Sequence, residues 1–227
     1  MLRPAFVTLF ALMSIGPALA QDAAGNCTGF GLDDDTANVE LRRVSTGDAR
    51  LFFFDNPDQH PGCPDDNESC KLSTFLVPGD RVVISRNEAG FGCASFVNGR
   101  GRETTGWLPL VAMDQINPKP DWVASWKRDT SAEIDIAEGD DGKLSLTGNA
   151  TVGSGASVHV GEISAEINGN KIRASFATNG EQQIAFKDAA EGDCAVSLVQ
   201  LGPYLVVKDN FNCGGANVSF TGIYIRR

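Results

Sequence analysis

The chain is poor in the side chains that do most enzymatic chemistry. It has two histidines, His60 and His159. His60 lies in the turn "QHPG", and His159 lies in "SVHVGEIS", three positions before Glu162. An odd spacing on a strand sends two side chains to opposite faces, so His159 and Glu162 form no acid–base pair. The sequence lacks the HExxH pair of a metalloprotease, the GxSxG elbow of a serine hydrolase and the paired-cysteine spacing of a zinc site. The acidic stretches "GLDDDTAN" (31–38) and "AEGDD" (137–141) lack the ligand spacing of an EF-hand and read as solvated turns. No catalytic set, metal or cofactor is expected.

Basic residues are also scarce. Nineteen Lys and Arg face 29 Asp and Glu, a net charge of −10. Such a surface repels nucleic acid, whose binding needs clustered cations, and attracts a cationic partner. Long apolar runs are missing except at the start. "MLRPAFVTLFALMSIGPALA" has one arginine, an apolar run from Ala5 to Ile15 and a small-x-small end at Ala18–Ala20. That run is too short to span a bilayer, which takes about 20 residues. It reads as an export leader (1–20) cleaved near Ala20. The mature chain is then periplasmic or secreted and has no membrane span.

All six cysteines lie beyond the leader, an even count that in an oxidising compartment argues for disulfides. Four fall before residue 94 and two after 193. Cys194 and Cys213 are expected to pair and to pin the final return of the chain, because Gly214 and Gly215 permit a tight turn beside them. In the first half two pairings stand. One is Cys63–Cys70 with Cys27–Cys93, and the other is Cys27–Cys63 with Cys70–Cys93.

No stretch keeps a 3.6-residue period over three turns, so the expected class is all-β. A segment with two prolines, "MDQINPKPDW" (113–122), is the best boundary. After it come eight alternating stretches, 132–137, 143–150, 157–167, 171–178, 182–187, 194–201, 204–209 and 217–226. They are joined by short Gly-, Asn- and Asp-rich turns. This predicts an eight-stranded antiparallel up-and-down barrel over 122–227, closed because closure removes exposed edges. Before the boundary, "LFFFDNP", "STFLVPGDRVVISR", "FGCASFV" and "GRGRETTGWLPL" are short strands ended by turns. Phe52, Phe53 and Phe54 cannot all face inward on one strand.

The motifs "FLVPGDRVVIS", "GFGCASFV" and "GRETTGWLPL" resemble the bacterial SH3-like domains of exported proteins, over residues 49–113. The resemblance implies a small barrel and a binding module. An extension (21–48) precedes it and a linker (114–121) follows it. Phe91 and Trp107 would line a groove for a peptide or cell-wall fragment, or else fill the small core. The cysteine-bounded acidic loop "CPDDNESC" has no counterpart in that pattern. In the second half, "ASW" with the late "IRR" resembles lipocalin- and avidin-like barrels, in which a late arginine packs over an early indole; here these would be Arg226 and Trp126. The ending also resembles the C-terminal β domain of uncharacterised exported proteobacterial proteins.

Two functions remain. The first is a non-enzymatic binding protein that recognises a protein or cell-wall fragment. It would act as an inhibitor or immunity-type partner of a basic cell-envelope hydrolase, with Asp65, Asp66 and Glu68 inserting into the target. The alternative is a carrier of a small apolar ligand inside the second barrel. The residues expected to point inward there include Ile134, Ile136, Leu144, Leu146, Val196, Leu198, Val206, Val218 and Phe220. They are large, which favours a filled interior.

Overall fold

The structure is a computed structural model that describes residues 25–139 and 142–227. The leader and its cleavage site fall outside the described residues. The chain is all-β, built as two antiparallel sheets. Among the described residues no helix is long and apolar enough to cross a membrane.

The first sheet holds β1 (Glu40–Val44), β2 (Leu51–Phe54), β3 (Lys71–Leu76), β4 (Arg81–Glu88), β5 (Phe91–Val97), β6 (Glu103–Pro109) and β7 (Met113–Ile116). Their order is β3-β2-β6-β5-β4-β1-β7. Every strand sends a residue into one core: Val44, Phe53, Leu76, Ile84, Ala94, Leu108 and Met113. The sheet therefore curls around a single centre. It begins earlier and ends later than the expected 49–113. The extension contributes β1, and the segment read as a linker contributes most of β7. β1 bonds to both β4 and β7.

The three phenylalanines separate as strand geometry requires. Phe53 is fully buried in the core and Phe52 turns outward. A register shift between Phe52 and Phe54 lets Phe54 also go inward, into a second small cluster. That cluster holds Cys27, Cys63, Cys70, Phe91, Cys93 and Trp107.

The second sheet has nine strands rather than eight. They are β8 (Ala124–Lys127), β9 (Ala132–Glu138), β10 (Leu144–Val152), β11 (His159–Ile167), β12 (Arg173–Thr178), β13 (Gln183–Ile184), β14 (Cys194–Leu201), β15 (Tyr204–Asp209) and β16 (Gly222–Arg226). The order is β11-β10-β9-β8-β16-β15-β14-β12-β13. The added strand is β8, which closes the ring of neighbours between β9 and β16. β13 breaks the meander: it folds back on the free side of β12 with only two paired residues.

The result is a nearly closed barrel with one seam beside β11. A side chain bridges part of that seam. The Gln183 amide accepts from the Glu166 backbone N–H at 2.7 Å and donates to the Glu166 carbonyl at 2.9 Å, replacing a rung of a β ladder. The other end of β11 is covered by the Cys213–Gly215 turn, with the Gly215 N–H on the Val160 carbonyl at 3.0 Å. A Cβ on Gly214 would stand 2.6 Å from the Gly161 Cα, so this close approach needs glycine.

The barrel interior is filled by Trp126, Phe176, Phe220, Tyr224 and the aliphatic residues around them. Val206 is not among them. It faces the first sheet, together with Val199, Leu201, Tyr204 and Ile223. Alternation on β15 explains the difference: Leu205 and Val207 point in, so Tyr204 and Val206 must point out.

From the other side Phe30, Val39, Leu41, Val83 and Val97 complete a shared cluster. The two halves are therefore packed together. The segment before β1 acts as a strap across the seam between them. Thr36 Oγ1 donates to Ser197 Oγ at 2.9 Å, Arg173 donates to the Thr36 and Val39 carbonyls, and Lys208 donates to the Gly31 and Leu32 carbonyls. Tyr204 OH donates to the Arg81 carbonyl at 2.8 Å.

The protein has two tyrosines, and both are buried. Burial, with Asp80 nearby, pushes the Tyr204 hydroxyl up to about 12. Burial raises Tyr224 as well, where the hydroxyl donates to the Phe220 carbonyl. Below pH 10 both tyrosines are neutral whether the chain is folded or unfolded, so stability is full. Above it the unfolded chain loses phenolic protons that the folded chain keeps, so stability falls by about 1.4 kcal/mol per pH unit per tyrosine. Tyrosinate absorbance should stay nearly flat to pH 11 and rise only toward pH 12, as Tyr204 ionises or the chain unfolds. Titration of one tyrosine near pH 10 in the folded protein would contradict the packing described.

Candidate functional site

The cysteines are all oxidised in pairs: Cys27–Cys93, Cys63–Cys70 and Cys194–Cys213. The first-half alternative that joined Cys27 to Cys63 is not the one formed. Each bridge lies within one half, and three bridges are compatible with an oxidising compartment. None of the six sulfurs is a free thiol. Cys27–Cys93 ties the strap to β5, and Cys194–Cys213 ties β14 to the turn that covers β11.

Phe91 and Trp107, read from the sequence as residues of a groove or of the small core, are buried. Trp107 is 0% exposed and Phe91 is 7% exposed. They pack with Phe54 against the two first-half disulfides, the Phe54 and Phe91 rings meeting edge-on with centroids 5.2 Å apart. The physical reason is that the strap, anchored at Cys27, lies over the face that a bare small barrel would expose. Arg86 completes the cover. Its guanidinium sits 5.4 Å from the Trp107 ring centroid and donates to the Asn26 carbonyl.

The acidic loop projects from this base. Cys63 and Cys70 are buried, whereas Asp65, Asp66 and Glu68 are exposed. Asn67 shapes the turn: its Oδ1 accepts from the Ser69 and Cys70 backbone N–H groups at 3.0 and 3.2 Å. Asp65 accepts from Asn67 Nδ2 at 2.9 Å, and Glu68 pairs with Lys71 at 3.1 Å. The loop is thus closed covalently, ordered internally and charged at its tip.

Beside it runs a groove of about 760 Å³ lined in part by Asp66, Lys71, Phe52, Arg50 and Val111. Three of its lining residues, Arg50, Phe52 and Lys71, belong with Phe75 to a ladder that sequence reading missed. Arg50 lies 4.3 Å from the Phe75 ring centroid, the Phe75 and Phe52 rings are 5.7 Å apart, and Lys71 lies 4.7 Å from the Phe52 centroid. Cations over ring faces shield an otherwise bare aromatic pair on an edge hairpin. The outward phenylalanine of "LFFF" was the available signal; its partner Phe75 depended on strand register.

The other singled-out residues lie apart from this groove. Arg226 sits 5.1 Å from the Trp126 ring centroid, with the Trp126 indole N–H donating to the Trp122 carbonyl at 2.9 Å. Arg226 and Trp126 are cross-strand partners on β16 and β8. His60 Nδ1 lies 2.7 Å from Asp55 Oδ2 at the surface, and His159 is exposed at the start of β11. Among the described residues no three His, Cys, Asp or Glu side chains converge as a metal site.

Comparison of the chain with protein families, curated proteins and solved structures finds no match.

The two bridges that close short loops should differ in worth. By loop-closure entropy, replacing Cys63 and Cys70 by serine should cost roughly 2 kcal/mol, and replacing Cys194 and Cys213 roughly 3 kcal/mol. Urea unfolding of the two double variants measures this. Wild-type midpoints in both would contradict the anchoring role given to the bridges.

Proposed function

We propose that the protein is an exported binding protein, periplasmic or secreted, that recognises a basic cell-envelope protein through its acidic 63–70 loop. The single observation that carries this reading is the loop's construction. Three carboxylates stand exposed on a tip that a disulfide and an Asn67 turn hold in shape. A preordered charged loop loses little entropy on docking, and its charge steers a cationic target toward it. The overall charge of −10 adds to that steering at long range. The role of an inhibitor or immunity-type partner of a hydrolase fits such a loop, which would enter a cationic substrate cleft. The SH3-like resemblance of the first half belongs to the same reading, with recognition moved from the buried Phe91 and Trp107 to the loop and the groove beside it.

The carrier alternative is weaker. Its ligand would occupy the space that Trp126, Phe176, Phe220 and Tyr224 fill.

The test uses the mature protein immobilised at low ionic strength, with the periplasmic extract of its source cells passed over it. A basic protein should be retained, and Asp65→Asn/Asp66→Asn/Glu68→Gln should reduce its retention about tenfold or more, as expected for loss of exposed charges at an interface centre. Retention that the triple variant leaves unchanged would overturn the assignment to the loop, and so would no retained cationic protein.

A further inference from the structure

Against its acidic average the molecule has a strongly basic cleft. It holds about 560 Å³ and lies where the β5–β6 hairpin tip of the first sheet meets the first and last strands of the barrel. Its lining includes Arg100, Lys127, Arg128, Arg226 and Arg227, with Asp129 the only acidic side chain among them. These five cations come from three separate segments in a chain with ten more acidic than basic residues, so composition does not produce the cluster. Pairing of β8 with β16 gathers four of them, and docking of the two halves adds Arg100. The hairpin tip lies close against the barrel: a Cβ on Gly101 would stand 3.7 Å from the Arg128 carbonyl oxygen.

The five cations divide into two groups. Arg128 and Arg226 are fixed. Arg128 Nη1 donates to the Ser219 and Thr221 carbonyls at 3.0 and 2.8 Å, and its Nε pairs with Asp129 at 3.1 Å. Arg226 pairs with Asp121 at 2.8 Å and lies over Trp126. Asp129 is in turn held to the barrel. Burial alone would raise its carboxyl, but bonds from the Ser131 hydroxyl and backbone N–H, with Arg128 beside it, hold it below the usual range. It therefore stays ionised and neutralises one of the two fixed arginines. Arg100, Lys127 and Arg227 have side chains with no hydrogen-bond or ion-pair partner among the described residues, and Arg100 and Arg227 are exposed. Three unpaired cations gathered around one concave space repel one another, and an anion between them would relieve that repulsion. Guanidinium groups bind phosphate oxygens in bidentate fashion, and a lysine adds a point charge.

We propose that this cleft binds a small soluble polyanion carrying two or more phosphate groups, held between Arg100 of the hairpin tip and Lys127 and Arg227 of the barrel. A single phosphate would engage only part of a space of this size, whereas a diphosphate-bearing ligand can reach both walls. A lipid headgroup is the less favoured source of the same chemistry, because the net charge of the chain opposes approach to an anionic membrane. The site is independent of the acidic loop, and the failure of either proposal leaves the other standing.

The probe is inorganic pyrophosphate, titrated into the full exported protein by calorimetry at low ionic strength. One saturable site is expected, binding pyrophosphate more tightly than orthophosphate and weakening as salt is added. Arg100→Ala/Lys127→Ala should weaken it about tenfold or more, since each side chain would contribute a charge-assisted bond. Neither side chain bonds to the protein, so the thermal midpoint of the double variant should match wild type. Lys187→Ala, which removes one charge outside the cleft, should leave the affinity unchanged. Absence of saturable binding would overturn the proposal. So would equal weakening by Lys187→Ala, or binding indifferent to the double variant. Sedimentation with phosphatidylglycerol vesicles by a protein that ignores pyrophosphate would overturn it in favour of a membrane surface.

Discussion

The apolar contact between the two sheets is the constraint on which the rest of the molecule depends. Leu41, Val83 and Val97 on one side meet Val199, Tyr204, Val206 and Ile223 on the other, and Phe30 and Val39 of the strap seal the edge. Burying one such side chain contributes roughly 1.5–3 kcal/mol, so the cluster outweighs any single hydrogen bond across the boundary. Its effects reach both candidate sites. The strap that it holds down covers Trp107 and Phe91, leaving the acidic loop as the projecting feature of the first sheet. The same docking brings the Gly99–Gly101 tip to the barrel and so adds Arg100 to the cations that β8 and β16 gather.

The covalent bonds follow a different plan from the packing. Each disulfide stays within one half, while hydrogen bonds and apolar burial join the halves. The bridges stabilise what packing handles poorly. One fixes an irregular strap, one a polar loop with no core of its own, and one a glycine-rich turn over the barrel seam. Small clusters bury too little surface to hold such segments unaided. The seam shows the same economy on a polar scale, since one glutamine side chain supplies two backbone-like bonds where no ladder forms.

Much of this was legible from residues alone. Period-two alternation marked most of the strands of the barrel, and the grouping of four cysteines before residue 94 and two after 193 kept the bridges within each half. The outward turn of one residue in "LFFF" followed from strand geometry. Other elements were hidden for physical reasons. β1, β7 and β8 have four or five residues each, too few for alternation to stand out, and they exist because neighbouring strands offer free edges. The interface was masked by its own signature. "AVSLVQL" and "YLVVKD" are apolar on both faces because both faces are buried, yet a run of that kind reads as barrel interior alone. Val206 was misplaced for this reason. The basic cleft left no linear trace: "RGR" is an ordinary hairpin tip, "WKR" and "IRR" are ordinary strand ends, and only β8–β16 register and docking of the halves bring them together.

If the interface cluster governs the molecule, the halves must unfold as one. Scanning calorimetry of the intact, oxidised protein decides this most directly. The account predicts a single transition whose calorimetric and van't Hoff enthalpies agree, and which separates into two when Val206→Asp places a charge in the cluster. Two transitions in the unaltered protein, or a single one that Val206→Asp does not disturb, would contradict it.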